Sequence, residues 1–537
     1  MKRFIYTIIC LLGIHIIQAQ DIKERIWVQT DKDFYLAGEK MGLKLYGTDS
    51  QGKALPFSRV AYVELLGDKD NAVRLKVELK GAIGEAVMQL PYTLASGMYD
   101  LVAYTRWMRN EGEQVFFRQK IAVFNSLRYA QSMDHIIFMD GAMPAEAARP
   151  ANNGIQVKTD KATYGNREAV TLMLDGIPQD ARLSVSVVRQ DVLTGQQSPS
   201  LNQSSTNGKK EDITPELEGL IVEARLVGND QTPMVRPHLS IQGDDIHYYA
   251  GQQTAENKVH FHTTALQGIK EVIIGIQGKG HLELVSPFIA TPPEQMQPIT
   301  LYRQYEEALS ERSLALQATN HFFPKESPAL VTPESLFPDM KPKWTYDLDH
   351  YKRFASFEET FIEFMPCVST IGTKGNKRIV AFDADILASS NGNTLVLLDG
   401  VAIMNHEQLL EYDPYLTKYV EVYVDDFVFG DQLYNGILSI KTPNRKLSGF
   451  TLPGTSVVVE YEGVQAGIGY SMPSAEKSLQ AHLPDFRHTL YWNPDVTAKD
   501  KQLECLTSDM CGTYIVKVEG RTPEGKIIHG YASFKVK

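Results

Sequence analysis

The residues in this 537-residue chain that are able to do chemistry are few and scattered. His260 and His262 in VHFHT stand two apart, which puts both on one face of a strand, and with His247 or Glu256 as a third ligand they can begin a metal site. Histidines at this spacing are also common on exposed strands that hold no metal. Asp383 with Asp385, and Asp425 with Asp426, offer oxygens to a hard cation such as calcium, but neither pair lies in a Gly-spaced calcium loop and solvated turn carboxylates are the simpler account. The sequence has no Gly-x-Ser-x-Gly elbow, no phosphate loop and no His-Glu-x-x-His, and Gly278 to Gly280 is a turn rather than a phosphate cradle. Scattered Ser, His and Asp do not specify a triad. The expectation is a protein that is not an enzyme, with no cofactor and no metal.

Four cysteines are present, and the one nearest the start, Cys10, lies in the run MKRFIYTIICLLGIHIIQAQ. Lys2 and Arg3, the apolar run from Phe4 to Ile17 and the small Ala19 mark residues 1–20 as a secretory signal peptide, too short for a comfortable membrane span. Cys10 follows Ile8 and Ile9 rather than a small residue, which argues against a lipid anchor. Export permits disulfides, and Cys505 and Cys511 flank a short polar turn at a spacing that allows a local bridge, or both are small strand residues. Loss of residues 1–20 removes two bases and no acid, moving the formal charge from −11 to about −13. With acid spread evenly and no basic stripe, nucleic acid is excluded as a partner class. No later run of about 18 apolar residues offers a membrane span.

The elements that must position any site are strands. At 43% apolar composition the chain can bury several cores. RLKVELK alternates Leu75, Val77 and Leu79 with charge, GMYDLVAYT does the same with Tyr99, Leu101 and Ala103, and turns punctuate both. A β-sandwich over residues 21–125 follows. TDKDFYLAGE at Thr30 to Glu39 is echoed by TDKATYGNRE at Thr159 to Glu168, predicting a second, related module over 150–213 with a long polar loop at 195–212. Both resemble the macroglobulin-like domains of the α2-macroglobulin superfamily, in which a Gln-Thr-Asp-Lys…Tyr…Gly-Glu strand opens the sandwich. That resemblance implies a fold and not a chemistry, because the Gly-Cys-Gly-Glu-Gln thioester run is absent and Met510 to Tyr514 lacks its Glu-Gln.

Residues 215–295 resemble the small transthyretin-like or carboxypeptidase-regulatory sandwiches. Helical spacing of Leu301, Tyr305, Ala308, Leu309 and Leu316, and a capping box at Ser356 and Glu359 ending at Pro366, predict a helical connector over 300–365. The fold class expected is therefore mainly β, a multidomain string of sandwiches plus one small α+β domain. That last domain is placed at 366–447, where KRIVAFDAD, LVLLDGVAI, YVEVYVDD and YNGILSIKT give four strand-like runs. It resembles the plug domain of TonB-dependent outer-membrane receptors, with Asp399, Gly400, Glu421, Val422, Gly430 and Gly436 at the matching places. A receptor barrel needs about twenty strands of about ten residues, and only about a hundred residues follow. The tail, 480–537, reads as an immunoglobulin- or fibronectin-like sandwich. The whole resembles a group of Bacteroidota envelope proteins that join macroglobulin-like sandwiches to a barrel-less plug, with SGMYDLVAYTRWMRN and LPDFRHTLYWNP as its phrases.

What this implies is a non-enzymatic envelope scaffold, periplasmic or associated with the outer membrane, whose partner is a separate outer-membrane β-barrel protein or complex. Two alternatives stay open: a macroglobulin-like protease-binding or inhibitor protein using the 195–212 loop as bait, and a surface adhesin or glycan-binding protein. Trp107 beside Arg106 and Arg109 suits an interface anchor, or Trp107 and Trp492 fill cores.

Overall fold

Strands with one apolar face need a second sheet to cover it, and the chain meets that need three times. The computed structural model describes residues 22–68, 71–127, 135–140, 151–190, 213–228, 236–254, 257–264, 266–322, 340–385, 392–465 and 483–537. The signal-peptide expectation and the 195–212 loop fall outside them. The architecture is mainly β: three sandwiches and one α/β unit.

The first sandwich contains β1 (Glu24–Thr30), β2 (Phe34–Leu36), β3 (Lys40–Asp49), β4 (Val60–Leu66), β5 (Ala72–Lys80), β6 (Ile83–Gln89), β7 (Gly97–Thr105) and β8 (Phe117–Phe124), in the order β1-β3-β6-β5-β4-β7-β8-β2. All neighbours are antiparallel except the short β2, which runs parallel to β8. Leu43, Val63, Leu75, Val77, Tyr99 and Leu101 fill its core, as their alternation requires.

The second sandwich differs from the two separate modules expected over 150–213 and 480–537, because those segments share sheets. Residues 156–189 supply Gln156–Thr159, Thr163–Tyr164, Ala169–Asp175 and Arg182–Arg189; the tail supplies Thr489–Val496, Gln502–Leu506, Gly512–Arg521 and Ile527–Val536. Arg182–Arg189 pairs on one side with Thr489–Val496 and on the other with Gly512–Arg521. Taken in chain order, these eight strands reproduce the pairings of β1 to β8 apart from the short β5–β6 link, including the parallel pair of the second strand with the last. Four strands alone leave one face uncovered, so residues 156–189 need the tail to close a core. Everything between 190 and 488 is thus inserted at the place of the tight β4–β5 turn.

That insertion carries the third sandwich, with sheets of 252–253, 258–262, 221–227 and 281–284, and of 247–250, 236–241, 269–277 and 456–462. Its last strand, Ser456–Glu462, comes after a further insertion that spans 285–455. Part of this inner insertion, Ile299–Tyr302 and helix α1 (Glu306–Phe322), returns to cover the β2–β8 edge of the first sandwich through Phe34, Leu36, Phe124, Tyr305 and Leu309. The rest is the α/β unit. Its sheet runs Trp344–Asp347, Tyr419–Phe429, Gln432–Lys441, Leu395–Leu398, Val401–Ala402, with Leu395–Leu398 parallel to its neighbour Gln432–Lys441. Helix α2 (Phe357–Phe364) starts where Ser356 accepts a hydrogen bond from the Glu359 N–H at 3.3 Å, the expected cap. With α3 (His406–Leu410) it covers Val396, Leu398, Val422 and Leu438. Among the described residues no helix is long and apolar enough to cross a membrane.

Candidate functional site

The four residues singled out between 399 and 436 are turn and bulge residues that fix the α/β unit. Asp399 sits at φ +49 and is fully buried. Its carboxylate accepts from the Thr442 N–H and hydroxyl, both at 2.7 Å, and from the Leu447 N–H at 2.8 Å, so it pins the exit of Gln432–Lys441 to the end of Leu395–Leu398. Its carbonyl accepts from the Gly243 N–H of the third sandwich at 2.9 Å. Gly400, at φ +81, lies so close to that sandwich that a Cβ would fall 3.0 Å from the Ile241 carbonyl oxygen. Gly430 forms the tight hairpin turn, and Gly436 faces a bulge between Tyr423 and Asp426, where a Cβ would come within 2.8 Å of the Tyr423 oxygen.

These turns seat one face of the α/β sheet on the third sandwich. Leu395, Leu397, Phe427, Phe429 and Ile437 pack against Ile246, Tyr248 and Ala250, and the Tyr248 and Tyr434 hydroxyls hydrogen-bond at 2.8 Å. The Ala402 N–H donates to Ser240 Oγ, and Arg445 reaches Asp244. Beside this seam opens a cleft of about 740 Å³. Arg236 and His238 from the third sandwich face Arg378, Asn393, His406 and Gln408 from the α/β unit across it. His238 is buried and neither ring nitrogen has a well-formed hydrogen bond; burial pushes its pKa down to about 4 against the opposing pull of the Arg236 backbone. Sequence reasoning missed these residues. A lone His in the apolar strand VRPHLSIQG looks like core, and the cleft joins strand 236–241 to residues 378–408 of a different unit.

The other candidates resolve into structural roles. His260 does not begin a metal site: its Nε2 lies 3.3 Å from Arg106 Nη2, and Arg106 binds Glu223 at 3.0 Å. Hydrogen bonding from His260, joined by Arg106, outweighs burial and holds the Glu223 carboxyl down to about 2. This buried group ties the first sandwich to the third. His262 is exposed, His247 belongs to the other sheet, and Glu256 lies outside the described residues. Asp383 and Asp385 both pair with Lys343, while Asp426 accepts from Asn435 and Asp425 is exposed. Among the described residues no group of three or more His, Cys, Asp and Glu is arranged to hold a metal.

Cys505 and Cys511 are not bridged. Cys505 stands opposite Val170 and points into the second core, where burial pushes its thiol up to about 12, whereas Cys511 is exposed beyond the strand end. The intervening turn carries the chain from the sheet of Gln502–Leu506 to that of Gly512–Arg521, and Cys511 stands just before the start of the latter. Cys367 is also free and buried. Trp107 is half-buried, donating to the Ile22 carbonyl at 2.8 Å, and Arg106 is spent on Glu223, so this cluster is a seam rather than an open anchor. Trp492 is buried where the first two sandwiches meet, against Gly42, whose added Cβ would fall 2.6 Å from the indole.

The chain matches no protein-family model and no curated protein. Among solved structures, Escherichia coli alpha-2-macroglobulin activated by porcine elastase overlaps 96% of this chain and 44% of its own, at 10% identity and a TM-score of 0.22. Salmonella alpha-2-macroglobulin reacted with methylamine overlaps 96% and 39%, at 9% identity and 0.21. The adhesin InvE of Yersinia pseudotuberculosis overlaps 51% and 62%, at 14% identity and 0.14. The chain spans less than half the length of the two macroglobulins, and neither activity nor partner passes to it from overlaps this slight.

Proposed function

We propose that this chain is a non-enzymatic scaffold of the cell envelope that presents its α/β unit to an outer-membrane β-barrel protein or complex engaged in transport, secretion or assembly. The observation that carries this reading is the way the unit is mounted. One sheet face is clamped on the third sandwich, and the third sandwich shares a continuous core with the first. On the other face of the same sheet, beyond the helices, Val428 and Leu433 stand directly opposite each other, 66% and 48% exposed. An apolar cross-strand pair on a rigidly held hairpin is a surface suited to another protein. The plug-like sequence of residues 395–440 supplies the class of partner, and residues 1–20 supply the export.

Crosslinking mass spectrometry on native envelopes tests this. Lys374 and Lys446 are exposed on the α/β unit. Crosslinks from them to an integral outer-membrane barrel are the expected result. Links confined to this chain's own sandwiches would leave the unit as a reused fold and overturn the assignment.

A further inference from the structure

The cleft beside the α/β seam is built from unspent polar groups, and that is unusual for a joint between two modules. Apolar packing covers the neighbouring surface, yet here His238 is 2% exposed and its ring makes no well-formed hydrogen bond beyond the weak pull of the Arg236 backbone, an arrangement that costs free energy unless something else meets it. On the opposite wall the Ile379 N–H donates to His406 Nδ1 at 2.9 Å. Burial, aided by Arg378, pushes the His406 pKa down to about 4. The ring is therefore neutral at pH 7 with its proton on Nε2, a donor at the cleft wall.

The charges of the cleft set the ligand class. Arg236 and Arg378 form no ion pair with any described residue, while the Lys377 ammonium is engaged by Glu358 at 2.6 and 2.7 Å. Glu407 also lines the wall, held by the Gly375 and Lys377 N–H groups. Two free guanidiniums against one carboxylate leave a net charge that suits a monoanion better than a dianion. A planar carboxylate matches the guanidinium fork. The remaining lining, Asn393, Asn405 and Gln408, offers amides to a hydroxyl- or amide-bearing body. The volume of about 740 Å³ is in the range of small-molecule sites.

We propose that this cleft binds a small polar monocarboxylate, its anion held by Arg236 and Arg378 and its body by the amides and by His238 and His406. The site lies wholly within one chain and stands whether or not a barrel partner exists. Two sources carry the same chemistry, an acidic sugar and a peptide C-terminus.

Isothermal titration of the full chain with D-glucuronate, glycylglycine, glucose and inorganic phosphate tests it. At least one of the two carboxylates is expected to bind ten times more tightly than glucose. Arg378→Gln, at an exposed position, is expected to weaken that binding tenfold or more with an unchanged melting temperature. Glucuronate alone assigns the sugar, glycylglycine alone assigns the peptide terminus, and both together support a site selective only for the carboxylate. The proposal fails if neither carboxylate exceeds glucose, if phosphate binds more tightly than both, or if Arg378→Gln leaves affinity unchanged.

Discussion

The segments Thr30–Glu39 and Thr159–Glu168 build the same turn from the same contacts, yet one is sealed and the other faces water. In the first, Asp31 accepts from the Tyr35 hydroxyl at 2.7 Å and the Gly42 N–H at 2.8 Å, and Glu39 accepts from the Leu36 N–H and pairs with Lys32. In the second, Asp160 accepts from the Tyr164 hydroxyl at 2.7 Å and the Thr171 N–H at 2.8 Å, and Glu168 accepts from the Gly165 N–H and pairs with Lys161. The shared residues make the turn, and the residues between them decide its surroundings. Phe34 and Leu36 give α1 an apolar seat, with Ala37 buried in the core beneath, and Arg312 crosses it to bind Glu39 through two bonds of 3.0 Å. Their counterparts Thr163, Gly165 and Asn166 offer no such seat, and the second copy stays open.

Removing Arg312 is expected to separate the two copies most. Arg312→Ala leaves the buried Glu39 with Lys32 as its remaining ion pair, a loss of about 3–5 kcal/mol by urea denaturation. The same pair sets an acid limit. Burial alone would raise the Glu39 pKa, but Arg312 and Lys32 together hold it down to about 2. A carboxyl depressed in the folded state contributes stability that is full above its unfolded value near 4.5 and is lost as pH falls through about 2. That contribution, of order 3 kcal/mol, is expected to shrink in the pH 2–4.5 stability profile of Arg312→Ala, where Lys32 remains beside Glu39.

Next in size is the left-handed position of the turn, Gly38 at φ +97 in one copy and Arg167 at φ +54 in the other. A Cβ on Gly38 would collide with the Tyr92 ring, so Gly38→Ala is expected to cost about 1–3 kcal/mol. Arg167→Ala adds no bulk and removes a partly exposed pair with Asp509 together with a hydrogen bond to the Leu483 carbonyl, for about 1 kcal/mol in the same assay. A smaller effect is expected at Tyr99 and Tyr514, which occupy matching strands and each donate to a carbonyl four residues upstream, Ala95 at 2.8 Å and Met510 at 2.9 Å. Tyr99→Phe is expected to cost about 1 kcal/mol and Tyr514→Phe somewhat more, because the Tyr514 hydroxyl also meets Ser508 Oγ at 3.0 Å; no cost at one of the two would break the equivalence of the sandwiches. Lys161→Ala, at the open copy, is expected to leave the denaturation midpoint where it was.

The repeated turn was legible because its Asp, Lys, Tyr and Glu are all used for local bonds, and local bonds leave a sequence signature. The strand character of the modules was legible in the alternation of Leu75, Val77 and Leu79. The nesting was not. Consecutive strands usually pair, so residues 156–189 and 489–536 looked like two modules, although GMYDLVAYT of the first sandwich and GTYIVKVEG of the tail are counterparts. Whether Cys505 and Cys511 pair was open for the related reason that spacing carries no direction. Asp399, Gly400, Gly430 and Gly436 were found because turns need special backbone conformations, but the cleft beside them was invisible because Arg236 and Arg378 meet only through the tertiary fold.

Native-state hydrogen exchange tests the central claim that the tail completes the second sandwich. The amides of Arg182–Arg189, Thr489–Val496 and Gly512–Arg521 are expected to share one opening free energy, since they form adjacent rungs of one sheet. Exchange of 489–536 as a unit of its own, well before Arg182–Arg189 opens, would contradict it.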